Sequence, residues 1–409
     1  MKQKTKQRFY IILLLGLLSA IGPFSIDMYL PGFPTIAQDL DTTVEHVQLS
    51  LTSFFVGIAF GQLIYGPLID RFGRKSPLIV GLFIYIAASV GCALTLTVEQ
   101  LIFFRLLQAL GSCAGMVASR ALVRDYFPPS ETAKVFSMLM LVIGVSPIIA
   151  PTAGGYIVHY WGWHGVFVVL GVLAAGILAG VWIFLKDKRG PNTEISLMPG
   201  SIVRNFAAVF RVPQFRFNAF AGGLAASGLY AYISGSAFVM MGLYEVSEQL
   251  YGWIFGLLAM GLIISSQLNS VLLRRYRSEQ ISFVAICCQA TCGLLLLGMQ
   301  LLGMLHLTSL IVLLASYLAF QGFVFPNTSA MALNPFSKLA GSASALMGSI
   351  QLALGALTSF LVSILHNQTA LPMVLLMACA SCGSFIFLLL SRRASRKSRF
   401  IMNEDTNLQ

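Results

Sequence analysis

Charge is what this sequence has least of. Only 10% of its 409 residues are Asp, Glu, Lys or Arg, against about 25% in soluble globular chains. Acids are the scarcer kind, 15 against 26 basic residues. A water-facing surface cannot be built from so few charges, so a soluble globular domain is excluded. Segments of alternating polarity are also missing, which excludes a membrane β-barrel. There is no glycine-rich phosphate loop, no nucleophile–base set and no metal-ligand cluster, so neither nucleotide-driven work nor an enzyme is expected. The seven cysteines all lie inside apolar runs, which argues against a disulfide framework or a metal site. Cys379-Ala-Ser-Cys382 has redox spacing but reads as helix packing. His46, His159, His164, His306 and His366 fall near the ends of apolar runs and read as interfacial residues, not ligands.

What remains is hydrophobic, 57% of the chain, in runs of about 20 residues or more, the length of a helix that crosses a bilayer. Twelve such runs predict an all-α membrane protein: 9–37, 46–69, 77–97, 99–122, 134–158 and 162–185, then 214–238, 248–272, 280–303, 306–332, 341–365 and 370–391. The basic start before the first run resembles a signal peptide, but it reads as an uncleaved first span, because its removal would leave an odd number. Even parity places both termini on one side. Every Lys and Arg except Arg105 then falls in the same set of segments, and the positive-inside rule makes that side cytoplasmic. The net charge of +11 therefore reports topology, and nucleic acid is not an expected partner. Asp39, Asp41, Glu45, Glu99, Glu245 and Glu248 go to the other side, where Trp161 and Trp163 are expected in the aromatic belt.

The domain reading is a six-helix bundle over 1–185, a cytoplasmic linker over 186–213, a second six-helix bundle over 214–393 and a tail over 394–409. Within the linker, Ile202, Phe206, Val209 and Phe210 recur at helical spacing with Arg204 and Arg211 off that face, predicting a short helix on the membrane surface. The tail beyond Arg396 is expected to be disordered. The segments before spans five and eleven, Pro129–Met140 and Phe336–Met347, are both short, polar and Ala/Ser-rich, as in two repeated halves. Two six-span repeats with a site between them is a secondary-transporter plan.

One acid and one base lie deep in this apolar chain, Asp27 and Arg105. A charged residue near the centre of a membrane helix costs about 2.5–3.5 kcal/mol on insertion scales, so each is a functional candidate. Asp27 sits in Gly22-Pro-Phe-Ser-Ile-Asp-Met-Tyr-Leu-Pro-Gly-Phe-Pro34, among three prolines. It could instead be a structural acid bonded to freed backbone, and Arg105 a structural strut. A second landmark is Gly66-Pro-Leu-Ile-Asp70-Arg71-Phe-Gly73-Arg74-Lys75, joining spans two and three. Its glycines permit a tight turn and close helix approach, and its charges could simply set topology. A third is Ser146-Pro147-Ile-Ile-Ala150-Pro151-Thr-Ala-Gly154-Gly155, whose prolines and small residues bend and thin span five. Tyr29, Gln108, Ser112, Tyr230, Tyr232, Gln321 and Asn327 could line a cavity or serve as interhelical links. Gln62, Gln267, Asn269 and Gln351 read as links.

The Gly66–Lys75 stretch resembles the inner-loop signature of the major facilitator superfamily. Ser25–Pro31 resembles the first-span motif of its 12-spanner drug:proton antiporters, and Leu101–Gly111, with Ala109 at a preferred glycine, their span-four motif. The Ser146–Gly155 stretch resembles their span-five antiporter motif, with Ser146 and Ala150 in place of two glycines. Gly61–Pro67 and Arg120–Asp125 are similar to the Bcr/CflA (bicyclomycin/chloramphenicol resistance) subgroup. The resemblance implies the major facilitator fold, two six-helix pseudo-repeat bundles, and a proton-coupled exporter of small-molecule drugs in the bacterial inner membrane. It implies no cofactor, only the proton gradient, and a monomer. Asp27 and Arg105 would couple protons, Gly66, Asp70, Arg71, Gly73, Arg74 and Lys75 would gate the inner side, and Pro147, Pro151, Gly154 and Gly155 would seal the interface. Export of a metabolite such as an amino acid, or nutrient symport, would leave the same residues in place.

Overall fold

Helices with apolar faces in lipid gain nothing from expelling water, so what fixes them is close packing and internal satisfaction of every backbone group. The computed structural model describes residues 2–185, 199–336 and 339–407. The remainder of the linker, with Lys186, Lys188 and Arg189, and also Lys338, lies outside the described residues. The elements are α1 (Lys2–Asp27), a 3-10 turn (Leu30–Gly32), α2 (Phe33–Asp39), α3 (Val44–Phe72), α4 (Lys75–Ala93), α5 (Val98–Tyr126), α6 (Pro129–Phe184) and α7 (Pro199–Arg211). There follow α8 (Pro213–Ala237), a π-helical turn (Phe238–Leu243), α9 (Glu248–Leu272), α10 (Ser278–Leu301), α11 (Leu307–Leu333), α12 (Ala340–Ile364) and α13 (Leu371–Asn407).

Eleven helical stretches are long and apolar enough to cross a membrane, and the one within α6 is two spans joined at a single residue. Gly162 breaks that helix at φ 72°, a left-handed conformation open to glycine at little cost. The expected loop between spans five and six is thus one glycine, and the count of twelve stands. Each of the other expected spans has its helix, with α1, the 3-10 turn and α2 together forming the first.

The repeat is visible in how the helices pair. In the first half α4 packs on α5 and α6, and in the second α10 packs on α11 and α13, the equivalent third, fourth and sixth spans. The chain divides into two compact units. One comprises Met1–Met198, Ile233–Ala259 and Ser359–Thr369, the other Pro199–Tyr232, Met260–Thr358 and Ala370–Gln409. The cuts pass through α8, α9 and α12, so the first unit holds one end of each of these with the first six spans.

Within the first unit, glycines let α5 approach its neighbours. A Cβ at Gly57 would lie 2.8 Å from the Leu106 carbonyl, and one at Gly61 would lie 2.8 Å from the Cβ of Cys113. At Gly111 it would lie 2.6 Å from both the Gly81 carbonyl and the Tyr85 nitrogen of α4. In the second unit, Val209 of α7 inserts among Phe215, Ala219, Ala332, Ala343 and Met347, while Val203 and Phe210 are exposed. Two local expectations differ from the structure. Helix α13 runs through Asn407 instead of fraying after Arg396, because no Pro or Gly follows Gly383 and Arg, Lys, Ala and Met favour helix. Trp163 is buried, with its indole N–H donating to Asp39 Oδ2 at 2.8 Å, while Trp161 is exposed. A buried indole needs such an acceptor.

The packing predicts a contrast between two glycines. Gly111→Ala forces α4 from α5 and is expected to cost about 1–3 kcal/mol. Gly298→Ala meets nothing within 4 Å and should change stability by less than about 0.5 kcal/mol. Thermal unfolding of the purified protein reads both, and equal midpoints would contradict the close approach.

Candidate functional site

The first span breaks immediately after Asp27. Pro23 lacks the N–H that would bond one turn back. Pro31 and Pro34 stand in the first turn of the 3-10 helix and of α2, where a missing N–H costs nothing. Asp27 is left as the last residue of α1, 4% exposed. Among the described residues it has no hydrogen bond and no ion pair. An ionised carboxylate in such surroundings is costly, and the neutral acid is the cheaper tenant.

Arg105 is not its partner. The guanidinium is fully buried, stacked between the rings of Tyr29 and Phe54 at 4.3 and 4.2 Å, with Phe167 at 5.8 Å. Its Nη1 donates to Gln108 Oε1 at 2.6 Å, Gln108 Nε2 donates to Ser89 Oγ at 2.8 Å, and Ser89 returns to its own helix at the Tyr85 carbonyl. Nε and Nη2 carry no hydrogen bond among the described residues. The rings supply cation–π attraction in place of a counter-charge. Around this core, the Tyr29 hydroxyl meets Ser50 at 2.8 Å and the Tyr85 hydroxyl meets Ser25 at 2.7 Å, so the first span is tied to α3 and α4 by polar contacts beside both deep charges.

The span-five motif sits against the same break. A methyl at Gly154 would collide with the Met28 carbonyl, the residue after Asp27. One at Gly155 would lie 2.7 Å from the Glu248 carbonyl, and one at Gly252 would lie 2.8 Å from the Pro151 carbonyl. Thr152 Oγ1 adds a hydrogen bond of 3.3 Å to the Gly252 carbonyl. Pro147 and Pro151 lie within the helix. The first turns of α9 thus pack backbone to backbone on α6, and all these residues belong to the first unit.

At the opposite end of α3, Gly73 closes the helix at φ 83°. Arg74 bridges Asp70, one turn earlier, and Asp125 of α5, to which its Nε donates at 3.1 Å. Asp125 is nearly buried while Asp70 is half exposed. Lys75 donates to the Leu185 and Trp182 carbonyls at 2.7 and 3.4 Å, neutralising the negative C-terminus of α6. A Cβ at Gly66 would meet nothing within 4 Å among the described residues. Arg71 has partners of its own.

The cavity candidates are already engaged within their units. Tyr29 and Gln108 belong to the Arg105 network, and Ser112 Oγ donates to the Ala109 carbonyl. In the second unit Gln289 Nε2 donates to Gln321 Oε1 at 2.8 Å, and Asn327 Nδ2 to Asn269 Oδ1 at 2.6 Å. Tyr232 is buried, and Tyr230 lies against Gly355. Sequence reasoning missed Asp125 as the acceptor for Arg74, the Ser25–Tyr85 and Gln108–Ser89 contacts, and the pairing of His366 with Glu45 at 2.7 Å. Only Asp125 left a signal, an acid closing a span amid basic residues.

Comparison with known proteins agrees with this architecture. The family description Major Facilitator Superfamily matches residues 15–359. A bicyclomycin resistance protein homolog of Haemophilus influenzae is 33% identical over 96% of this chain and 99% of its own. A chloramphenicol resistance protein of Pseudomonas aeruginosa is 27% identical over 89% and 86%. The crystal structure of a D-xylose-proton symporter superposes with a TM-score of 0.71 over 94% of this chain and 97% of that one, at 13% identity, which speaks to fold alone. Two six-span repeats, a matched family description and near full-length relatives converge, and the chain belongs to the major facilitator superfamily, as a bacterial inner-membrane transporter of the drug-resistance type, Bcr/CflA-like.

Proposed function

We propose that the protein exports small drug-like molecules, bicyclomycin- or phenicol-like compounds among them, in exchange for protons by alternating access. The observation that carries this is Asp27, buried without donor or cation among the described residues at a helix break that also contacts the span-five motif. The names of the relatives support a drug substrate. The confinement of Lys and Arg to one set of segments supports cytoplasmic termini and an α7 whose basic residues lie at the inner surface.

In the cycle, substrate enters from the cytoplasm or inner leaflet while Asp27 gives up its proton. The outer side then opens, substrate leaves, and protonation of Asp27 permits return. Arg105, with two nitrogens unspent, receives the charge that Asp27 or a substrate acceptor brings near it. Tyr29 and Gln108 hold that guanidinium, and Ser112, Tyr230, Tyr232, Gln321 and Asn327 stand on spans that would face the substrate path. The Asp70–Arg74–Asp125 bridge, with Arg71 and Lys75 beside it, braces the inner end and must loosen each turn. Pro147, Pro151, Gly154 and Gly155 give the close contact that limits leak. One proton moving through about 100 mV supplies about 2.3 kcal/mol, enough for a gradient of roughly 50-fold.

Asp27→Asn is expected to abolish proton-linked export while the protein still inserts. Substrate-induced proton release and pH-driven accumulation in vesicles read this, and unchanged values would remove Asp27 from the coupling role. Release provoked by metabolites but by no phenicol or bicyclomycin-like compound would replace the drug by a metabolite. A second contrast concerns the brace. Asp70→Asn should slow turnover with modest loss of affinity and cost stability only about 0–1 kcal/mol, as for exposed pairs. Asp125→Asn should lower the unfolding midpoint more, since it strips a nearly buried charge pair. A reversed order of midpoints would contradict the assigned burial.

A further inference from the structure

Glu45 and His366 lie in the first unit at the end of the molecule whose loops hold no Lys or Arg. His366 Nε2 is 2.7 Å from Glu45 Oε1, and both side chains are mostly buried yet reachable by water, at 13% and 16% exposed. The same nitrogen is 3.3 Å from the backbone N–H of Gln368, a residue held at φ 60°. These neighbours make opposite demands. The carboxylate needs a donor at Nε2, and the amide needs its lone pair.

We propose that Glu45 and His366 form a second proton-binding site, a latch that ties α3 to the end of α12 when the imidazole is protonated and releases it when the proton leaves. With the ring charged, Nε2–H donates to the carboxylate and the pair is ionic. With the ring neutral, the Nδ1–H tautomer presents a lone pair that accepts from Gln368 and repels Glu45. Imidazole is the side chain that changes charge between about pH 5 and 8, so the latch is shut on the acid side of that range and free above it.

The setting favours this reading over a chance surface pair. Ser359 and Ser363 lie one turn apart on α12 and His366 follows just beyond its end, and all three bond. Ser359 Oγ meets Thr52 Oγ1 of α3 at 2.8 Å and donates to Ser234 of α8 at 3.1 Å, and Ser363 donates to the Glu45 carbonyl at 2.6 Å. Phe238 of the π-helical turn closes the side of the imidazole, edge-on at 4.3 Å. The neutral links do not titrate in this range, so the column has one pH-dependent member, at its tip. Other ionisable groups at this end are engaged elsewhere or face water. Asp39 accepts from Trp163, Glu248 from Thr35, and His46 Nδ1 faces Thr42 and, electrostatically, Glu99. Asp41 and Glu245 are exposed. With no Lys or Arg in these loops, protonated His366 is the cation in contact with Glu45.

Hydrogen–deuterium exchange of the full chain in lipid nanodiscs tests the latch, corrected for intrinsic rates, at about pH 5.5 and about pH 8, either side of the imidazole range. Segments 42–48 and 359–369 are expected to exchange about fivefold more slowly at the lower pH, the scale of a modest ion pair. The step should vanish in His366→Gln and in Glu45→Gln. The charge-swapped double variant Glu45→Lys with His366→Glu should be protected at both pH values. Asp27→Asn should keep the step, which separates this site from the coupling carboxyl. A step that survives His366→Gln, one that disappears in Asp27→Asn, or equal wild-type protection at both pH values overturns the proposal.

Discussion

The hydrocarbon core does not hydrate charge, and the placement of nearly every ionisable residue in this protein follows from that. The Lys and Arg of the loops stay on one side because they resist crossing, and the span count follows from where they can rest. The two deep exceptions are each accommodated differently. Arg105 cannot be neutralised, because a guanidinium keeps its proton, so the fold gives it aromatic faces and one amide. Asp27 can be neutralised, so the fold gives it nothing. That difference makes the carboxyl, and not the guanidinium, the natural carrier of a proton.

The two repeats spend the same helix pairs on different tasks. Across α4 and α5 the polar link is charged, running from Arg105 through Gln108 to Ser89. Across α10 and α11 it is a neutral pair of amides, Gln289 with Gln321, and a second amide pair joins Asn269 to Asn327. Neutral amides hydrogen-bond across membrane helices for modest stability, about 0.6 kcal/mol on average, without any charge to move. The deep charges among the described residues thus belong to the first half, while the amide pairs link helices of the second.

How much of this was legible in the sequence depends on the range over which each feature is decided. Span number and the existence of Asp27 and Arg105 as outliers are local facts of composition, and they read directly. Gly73 was legible because a turn ending α3 requires its conformation, and Gly162 could have been, since a glycine between tryptophans separates two spans. Partners were not legible. Nothing in spacing says that Arg105 would stack on Tyr29 and Phe54, residues 76 and 51 positions away by number, instead of facing Asp27. Trp163 looked like its neighbour Trp161 and turned inward because Asp39 offered an acceptor. Lys75 read as a gate charge, but spacing did not show that its partners are the carbonyls ending α6. Gly66 read as a site of close approach, and a Cβ there would meet nothing among the described residues.

The break after Asp27 gains meaning from what lies against it. Met28, the next residue, offers its carbonyl to a position on α6 where only glycine fits, and the adjacent glycine of α6 meets the backbone of α9. Tyr251 of α9, whose hydroxyl meets Ser236 at 2.9 Å, lies within electrostatic reach of Asp27. A change of charge at one carboxyl therefore falls where three backbones are already in contact and the two α6 glycines have no side chain to yield. Packed backbone is not continuously deformable, so a small shift there has few ways to be absorbed short of separating the helices. Under the proposed exchange, that stiffness is what would turn a proton's arrival into movement of whole spans.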